Sequence, residues 1–212
     1  LITDIGGWVM RAACTEAASW PGGATVSVNV SAAQLAGGVL ARQVAEALEA
    51  SGLPPGRLEL ELTESLLVDA GAETLLTLSA LRDRGISLAL DDFGTGYSSL
   101  TTLRHYPFDV IKIDNSFVAG IGQSIEDHSI VRALIELGRG LRMRVTAEGV
   151  ETEEQLHRLV AEGCTEVQGY LFSRPVPADE VAGLIAAPPR PAPARARTTP
   201  RPSRWPRSRA RP

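Results

Sequence analysis

The chain has 212 residues, of which 44% are hydrophobic and 22% charged, so it can bury one sizeable core and is neither collagen-like nor wholly disordered. Its two cysteines, Cys14 and Cys164, form no Cys-x-x-Cys pair, which excludes a disulfide scaffold or zinc knuckle and favours the reducing cytoplasm. The sequence has no apolar run long enough for a membrane span, and its opening residues lack the basic stretch of a signal peptide.

The net charge of −4 combines two regions of opposite sign. Residues 188–212 hold eight arginines, eight prolines and no acid, whereas residues 1–187 hold 13 basic and 25 acidic residues, a formal charge of −12. Proline at this density is incompatible with helices and sheet ladders, so we predict a folded domain at 1–187 and a disordered tail at 188–212. A basic tail is able to bind nucleic acid or phospholipid, but the acidic domain is a poor partner for DNA, and we expect no DNA binding.

The domain alternates helix-like and strand-like segments. In chain order we predict helix Ile2–Ser19, strand Ala24–Val30, helix Gly38–Ala50, strand Arg57–Thr63, helix Ala72–Arg84, strands Ile86–Asp91 and Asp109–Asp114, helix Ser124–Gly138, strand Arg144–Glu148, helix Thr152–Glu162 and strand Thr165–Gly169. Six strands separated by helices indicate a parallel sheet of βα units, which is either an open doubly wound sheet or a (β/α)₈ barrel.

The two faces of the predicted strands differ in polarity, since alternate residues of a strand share a face. The apolar face, which we expect to pack under helices, contains Val26, Val28, Val30, Leu58, Leu60, Leu62, Leu88 and Leu90, with Val110 and Ile111 nearby. The polar face collects Ser27, Asn29, Glu59, Glu61, Asp91, Lys112, Asp114, Thr146, Glu148 and Gln168. Polar side chains that converge at strand ends favour the active face of a barrel. Because such a barrel usually needs about 250 residues, we predict an α/β, variant TIM-type (β/α)₈ barrel that is N-terminally truncated to about six strands.

The converging side chains are oxygen donors without histidine or cysteine, namely Asn29, Glu61, Asp91, Asp92, Glu148 and Gln168. Oxygen ligands favour Mg²⁺ or Mn²⁺, and the adjacent Asp91 and Asp92 suit a two-metal phosphodiester hydrolase. Lys112 is the only lysine of the chain and would position a water or a phosphate oxygen. Taken singly, each feature has another interpretation: a strand-ending turn at Asp91–Asp92, surface charges at Glu59 and Glu61, or a structural Lys112–Asp114 ion pair.

Six motifs resemble, in order, those of the EAL domain family of bacterial cyclic di-GMP phosphodiesterases: Ser27–Ser31, Glu61–Ser65, Asp91–Leu100, Ile111–Asp114, Ala147–Thr152 and Gln168–Tyr170. The resemblance runs from residue 1 to about Pro177. It implies a variant (β/α)₈ barrel and metal-dependent hydrolysis of cyclic di-GMP to linear pGpG.

The resemblance also implies roles for individual residues. Asn29, Glu61 and Asp91 are similar to the ligands of one Mg²⁺ or Mn²⁺ ion, and Asp91, Asp92 and Glu148 to those of a second. Lys112, with Asp114 nearby, is similar to the lysine that holds the attacking water; Glu148 helps to activate that water and Gln168 lies beside it. Glu64 resembles the glutamate that steadies the loop Asp92–Ser99, and Glu151 a substrate-side or more distant contact.

The chain departs from the motif pattern of the family at its start. The Glu-Ala-Leu motif that names the family precedes all six motifs, so we expect it to lie before Leu1, together with its metal-ligating glutamate. We therefore expect this chain to be an incomplete and inactive domain of a longer protein, which is the active phosphodiesterase. We expect that longer protein to form a homodimer and to carry an upstream sensor or diguanylate-cyclase-like domain. A membrane anchor before Leu1 is compatible with this interpretation. The alternative is a non-catalytic module that binds cyclic di-GMP or docks a partner.

Overall fold

The computed structural model describes residues 1–67, 71–94 and 100–187, which form an α/β fold around one parallel sheet. Its strands are β1 (Val26–Asn29), β2 (Leu58–Thr63), β3 (Ser87–Phe93), β4 (Val110–Ile113), β5 (Arg144–Ala147) and β6 (Glu166–Val167). All five pairings are parallel and follow the order β1-β2-β3-β4-β5-β6. Within the described part of the chain the order never reverses, as it would in a doubly wound sheet, and the strands form a half-barrel.

Nine α-helices occur within the described residues: α1 (Ile2–Ala18), α2 (Ala32–Ala36), α3 (Leu40–Ser51), α4 (Ala72–Asp83), α5 (Leu100–His105), α6 (Asn115–Gly120), α7 (Ile125–Leu141), α8 (Glu153–Glu162) and α9 (Ala178–Ala186). Short 3₁₀ helices lie at Pro21–Gly23, Pro55–Arg57 and Glu64–Leu67. The five helices that the sequence predicts are confirmed to within a few residues. The sequence misses α2, α5, α6 and α9 because so few turns carry little periodicity.

The outer face of the sheet supplies the buried core, as the alternation of the strands predicts. On β2, Leu58, Leu60 and Leu62 have no exposed surface and pack beneath the helices. A second apolar cluster surrounds β4 and β5 and includes Ile113. Burial of this face leaves the other face of each strand directed into the interior of the half-barrel.

One residue is on the other face from the one that the sequence predicts. Val110 is fully buried but belongs to the same face of β4 as Lys112, since the two are two residues apart. It pairs with Ala89 of β3, and neither residue belongs to the core clusters under the helices. The placement of Val110 under the helices was therefore wrong, because a buried strand is apolar on both faces where its interior is also filled.

Three expectations reach beyond what the structure describes. The tail 188–212, which the sequence predicts to be disordered, lies outside the described residues. So does most of the loop Asp92–Ser99, of which residues 95–99 are not described. Among the described helices, none is long and apolar enough to cross a membrane. The cytoplasmic location stays a prediction.

Candidate active site

Lys112 lies at the centre of a cluster of carboxylates at the carboxyl ends of the strands. Its Nζ is 2.7 Å from Oε1 of Glu61, 2.6 Å from Oε1 of Glu148 and 3.2 Å from Oδ1 of Asp91. Lys112 is only 4% exposed, so these contacts are shielded from solvent and weakly screened. Because the three carboxylates come from β2, β3 and the end of β5, one ammonium group links strands across the half-barrel.

The electrostatic environment favours a charged Lys112. Burial acts to lower the pKa of its ammonium group, but the hydrogen bonds that this group donates to Glu148 and Glu61, and the charges of both carboxylates, together raise that pKa above its ordinary value. Burial raises the pKa of Glu148, with further increases from Asp91 and Glu61, against the lowering effect of Lys112. The cluster therefore holds a fixed cation among carboxylates that repel one another.

A local irregularity in β3 brings both aspartates of the pair to the same site. Neighbouring residues of a regular strand point to opposite faces, so Asp91 and Asp92 would normally diverge. Here the pairing of β3 with β4 shifts register between Leu90 and Phe93, and Asp92 has a positive φ of 54°. Aspartate is among the residues that tolerate this conformation. The pKa of Asp92 is raised by burial and then by the charges of Asp91 and Asp114, which is consistent with a crowded acidic site.

The donor set fits a hard divalent cation. Asp91, Asp92 and Glu148 each present a carboxylate oxygen, and these three oxygens lie within 4.8 Å of one another. Oδ1 of Asp91 is buried and has no hydrogen-bond partner among the described atoms, although Lys112 is at ion-pair distance. A buried acceptor without a hydrogen bond has a large desolvation cost, and a bound ion would remove it.

Asn29 and Glu61 extend this cluster towards β1. They are register partners at the ends of β1 and β2, so their side chains lie side by side on the inner face. Glu61 is buried against Lys112, whereas Asn29 is exposed at the edge strand. The structure thus brings the predicted residues Asn29, Glu61, Asp91, Asp92, Lys112 and Glu148 to one end of the sheet.

A cavity of about 470 Å³ adjoins the carboxylate cluster, and Glu148 lies in its wall. Two other predicted residues, Gln168 and Glu151, line the same cavity. Asn115 and Tyr170 also line it, and the sequence analysis assigned no role to either. Asn115 directly follows Asp114, and Tyr170 ends the motif Gln168–Tyr170. Tyr170 is half exposed and carries the guanidinium of Arg174 4.6 Å from its ring centroid. The cavity has room for part of a ligand beside the acidic cluster.

Two glycines bring the backbone close together at the wall of this cavity. A Cβ at Gly149, which has a φ of +69°, would lie 2.6 Å from Cβ of Asn115. A Cβ at Gly169 would lie 2.2 Å from the carbonyl oxygen of Val150. Both glycines directly follow a predicted site residue, Glu148 or Gln168, so the close approach fixes where these two side chains leave the backbone.

Asp114 and Glu64 lie beside the cluster in local structural roles. Asp114 is the N-cap of α6: its Oδ1 accepts hydrogen bonds from the backbone N–H, at 3.0 Å, and the hydroxyl of Ser116. Lys112 therefore pairs with Glu61, Asp91 and Glu148, and the interpretation of a Lys112–Asp114 ion pair was wrong. Glu64 is 8% exposed and begins the 3₁₀ helix after β2.

A literal Glu-Ala-Leu string occurs in the chain, but in another place. Glu46, Ala47 and Leu48 lie within helix α3, where Glu46 is exposed and Ala47 is buried in the core. The string follows the Asn29 motif and lies on a helix outside the sheet. It is therefore unsuited to join the carboxylates at the strand ends.

The family of the chain follows from its similarity to known proteins. The model of the EAL domain family matches residues 1–175, most of the chain. The chain therefore belongs to the EAL domain family, which confirms the resemblance that the six motifs carry.

Two curated relatives illustrate the range of known proteins. An uncharacterized signaling protein of Caulobacter vibrioides is 49% identical over 84% of this chain and 22% of its own length. The bifunctional diguanylate cyclase/cyclic di-GMP phosphodiesterase MucR of Pseudomonas aeruginosa is 40% identical over 88% of this chain and 28% of its own length. The chain thus spans about a quarter of the length of these relatives.

Solved structures share the fold. The MucR phosphodiesterase in complex with cyclic di-GMP superposes with a TM-score of 0.79 at 40% identity, covering 85% of this chain and 74% of that one. The EAL domain of Mycobacterium smegmatis DcpA gives a TM-score of 0.82 at 41% identity, covering 88% and 85%. A Klebsiella pneumoniae BlrP1 manganese/cyclic di-GMP complex gives 0.71 at 33% identity, covering 82% and 45%. These matches confirm the α/β, TIM-barrel-like fold.

Proposed function

We propose that this chain is the core of a phosphodiesterase domain that hydrolyses cyclic di-GMP to linear pGpG with the help of divalent metal ions. The observation that carries the proposal is the cluster of carboxylates at the carboxyl ends of parallel strands, beside a cavity. Buried Glu61 and Asp91 and half-buried Glu148 surround Lys112, and the exposed Asp92 adjoins them. That is where barrels of this class build their active sites. Two relatives of the same fold, MucR and BlrP1, have been solved with cyclic di-GMP.

The metal ions would be Mg²⁺ or Mn²⁺, two in a complete domain. Asp91, Asp92 and Glu148 would hold one ion, and Asn29, Glu61 and Asp91 the other, since hard oxygen donors suit both metals. Bound metal would supply stabilisation of negative charge on the phosphoryl group and activation of water. The BlrP1 complex with manganese and cyclic di-GMP supports this assignment by similarity.

The residues of the chain itself would orient the reaction. Lys112 has three N–H donors; two point to Glu61 and Glu148, while the contact to Asp91 lacks hydrogen-bond geometry. The third donor is therefore the one that an attacking water or a phosphoryl oxygen would accept. Water oxygen would bond to phosphorus as the bond from phosphorus to the 3′-oxygen breaks. Glu148 would take the proton of the water, and the 3′-oxygen would leave as a hydroxyl after protonation from solvent.

The cavity beside the cluster would receive the nucleotide. Gln168 and Glu151 both line it and are both exposed. The backbone N–H of Gln168 donates to the carbonyl oxygen of Ala147, the residue before Glu148, at 2.8 Å. Glu151 is held by the start of α8, because its backbone N–H donates to Oε1 of Gln155 at 2.8 Å. We assign Gln168 to the reacting end of the cavity and Glu151 to the substrate side.

Regulation would reach the site through the segment after β3. Glu64 is buried at the end of β2 and would steady the loop Asp92–Ser99, with Asp114 beside Asp92. In the complete protein we propose a homodimer and an upstream sensor or diguanylate-cyclase-like domain. MucR, a bifunctional diguanylate cyclase/cyclic di-GMP phosphodiesterase more than three times as long as the matched region, supports the latter.

The test is hydrolysis of cyclic di-GMP, measured by chromatography of pGpG with Mg²⁺, Mn²⁺ or a chelator. It is run on this chain and on a longer form that carries a Glu-Ala-Leu strand before Leu1. Asp91→Asn removes a proposed ligand with little change of shape, and Asp83→Asn, at the exposed end of α4, is the matched control. We expect the longer form and its Asp83→Asn variant to produce pGpG, and the chelator or Asp91→Asn to abolish production.

The alternative function is a non-catalytic module that binds cyclic di-GMP. It predicts saturable binding of the dinucleotide to the longer form without any pGpG at either metal. If the longer form neither binds nor hydrolyses cyclic di-GMP, both functions are contradicted.

A further inference from the structure

A second polar cluster lies inside the half-barrel, at the amino ends of the strands. The guanidinium of Arg144 on β5 donates from Nη2 to Oε2 of Glu59 on β2 at 2.8 Å and from Nη1 to Oε1 of Glu166 on β6 at 2.8 Å. The same Nη2 donates to the hydroxyl of Ser87 on β3 at 2.9 Å. One side chain therefore joins β2, β3, β5 and β6, and the pair Arg144–Glu59 spans 85 residues of sequence.

Glu59 is the buried end of this cluster. Its side chain is 10% exposed, and its two oxygens accept hydrogen bonds from Ser27 and Ser87, each at 3.0 Å, as well as from Arg144. Hydroxyl groups alone do not neutralise a buried carboxylate, so the guanidinium is its compensating charge. Arg144 itself is 45% exposed, so its charge is partly hydrated from the other side.

The two polar clusters connect the same pair of strands at two levels. Glu59 precedes Glu61 by two residues on β2, so these two share the inner face. Arg144 begins β5, and Glu148 directly follows the end of that strand. At the lower level Arg144 joins the strands directly, and at the upper level Lys112 joins Glu61 to Glu148. Between the levels, β3 and β4 offer only Ala89 and Val110 to the interior, both fully buried.

Neither Ala89 nor Val110 is polar, so polar contacts between β2 and β5 at this depth depend on the two ion-pair clusters. The separation of these strands sets the distance between the carboxylates of Glu61 and Glu148. Lys112 contacts both at short distances, 2.7 and 2.6 Å, so a change in strand separation would alter at least one of the two contacts.

We propose that Arg144 is a positioning residue, which holds β2 and β5 at the separation that lets Lys112 bridge Glu61 and Glu148. The role of this bridge in catalysis rests on the proposed function, but the geometric coupling between Arg144 and Lys112 does not. Removal of the guanidinium leaves Glu59 buried without a counter-charge, so β2 moves to hydrate it. This movement reaches Glu61, two residues further along the same strand.

The test uses Lys112 as its own reporter, since it is the only lysine of the chain. Protein labelled with ¹³C at Cε and ¹⁵N at Nζ of lysine gives one side-chain signal in NMR, which is recorded on the full chain without metal. The variants are Arg144→Met and the control Arg139→Met, which removes an exposed ion pair with Glu136 on α7; neither adds a lysine. Urea unfolding of each variant gives its stability separately.

We expect Arg144→Met to shift the Lys112 signal and to speed exchange of its ammonium protons with water. Arg139→Met should leave the signal unchanged. If Arg144→Met lowers the stability but leaves the Lys112 signal at its original position, Arg144 only stabilises the fold and the proposal is overturned. Should Arg144→Met fail to fold, Glu59→Gln, which keeps the size of the side chain, decides in the same way.

The same samples test the proposed function separately. Added Mn²⁺, which is paramagnetic, should broaden the Lys112 signal of the unmodified chain if the carboxylates around it bind metal. A signal that stays sharp would contradict the proposed metal site, whereas the role of Arg144 is still decided by the spectra without metal.

Discussion

Lys112 places a positive charge between carboxylates from three strands, and the chain has no second lysine to replace it. An arginine there would bring a planar, forked donor in place of a compact ammonium group, which would not fit between Glu61 and Glu148 in the same way. In a chain with 20 arginines, this single lysine is therefore a specific requirement of the site.

Loss of the ammonium group should leave several buried carboxylates uncompensated. We expect Lys112→Met to lower the free energy of unfolding by about 3–5 kcal/mol in metal-free solution. Urea unfolding measures the change. Arg139→Met is the matched control and should cost less than about 1 kcal/mol, because its ion pair is exposed. Equal losses in the two variants would contradict the buried network.

Gly169 is required by its contact with the backbone of Val150. A methyl group there would lie 2.2 Å from the carbonyl oxygen and 2.3 Å from the nitrogen of Val150, and backbone atoms cannot give way as a flexible side chain can. We expect Gly169→Ala to destabilise the protein by about 1–3 kcal/mol, the usual cost of overpacking. Thermal unfolding tests this expectation.

Gly183 on α9 is the control for that substitution, since a methyl group there meets no atom within 4 Å. We expect Gly183→Ala to stabilise the protein by about 0.5–1 kcal/mol, because alanine loses less backbone entropy in a helix. Loss of stability in both variants by the same amount would show that the contact with Val150 is not the cause.

At the residue scale, the sequence predicted the set of polar side chains but not all of their geometry. Alternation along a strand placed Glu61, Asp91 and Lys112 on one face, which is a property of any extended chain. The joint orientation of Asp91 and Asp92 depends on a positive φ and a register shift, and neither leaves a periodic signal. Arg144 and Glu59 contact each other but are 85 residues apart in the sequence, so only the folded sheet shows this pair.

At the scale of single elements, the strand ends are what bring the site together. Each predicted strand was confirmed to within about three residues, because β-branched runs between glycines and polar turns mark strands well. The short helix α6 was missed, although its N-cap Asp114 was already a candidate for the site. Capping and catalysis use the same residue types, so a sequence does not separate the two roles.

Helix α8 fixes the exposed wall of the cavity through its cap. The hydroxyl of Thr152 accepts from the N–H of Gln155 at 3.2 Å, while Oε1 of Gln155 accepts from the N–H groups of Thr152 and Glu151. We expect Thr152→Ala to lower stability by about 1 kcal/mol and to speed hydrogen exchange at the amide of Glu151. Thr152→Ser keeps the hydroxyl, so it should behave like the unmodified chain; if it matches Thr152→Ala instead, the cap is not responsible.

At the scale of the whole molecule, one sheet of six sequential strands carries an apolar outer layer and a polar interior. The interior is where the chain departs from an ordinary buried sheet, since Glu59, Glu61, Asp91 and Lys112 are all buried there. Buried charges on this scale are tolerated only when they are paired or bind metal. Stability and the proposed function therefore depend on the same interior side chains.

The two thiols, buried Cys14 and half-buried Cys164, predict how the free energy of unfolding changes with pH. Burial raises the pKa of Cys14 and of Cys164, for the latter against the lowering effect of backbone hydrogen bonds. Unfolded thiols ionise at about pH 8.5. Above that pH the folded state binds more protons than the unfolded state does, so the free energy of unfolding decreases as the pH rises. We expect the free energy of unfolding to fall from about pH 8 to about pH 10, less steeply in Cys164→Ala. Equal slopes would contradict the raised thiol pKa.

Calorimetric titration of the folded chain with Mn²⁺ shows whether the carboxylates around Lys112 bind a divalent metal. We expect saturable binding that Asp91→Asn abolishes and Asp83→Asn preserves, with both variants still unfolding cooperatively. If the unmodified chain takes up no Mn²⁺, or if Asp91→Asn binds it as well as the unmodified chain does, the carboxylate cluster is not the metal site.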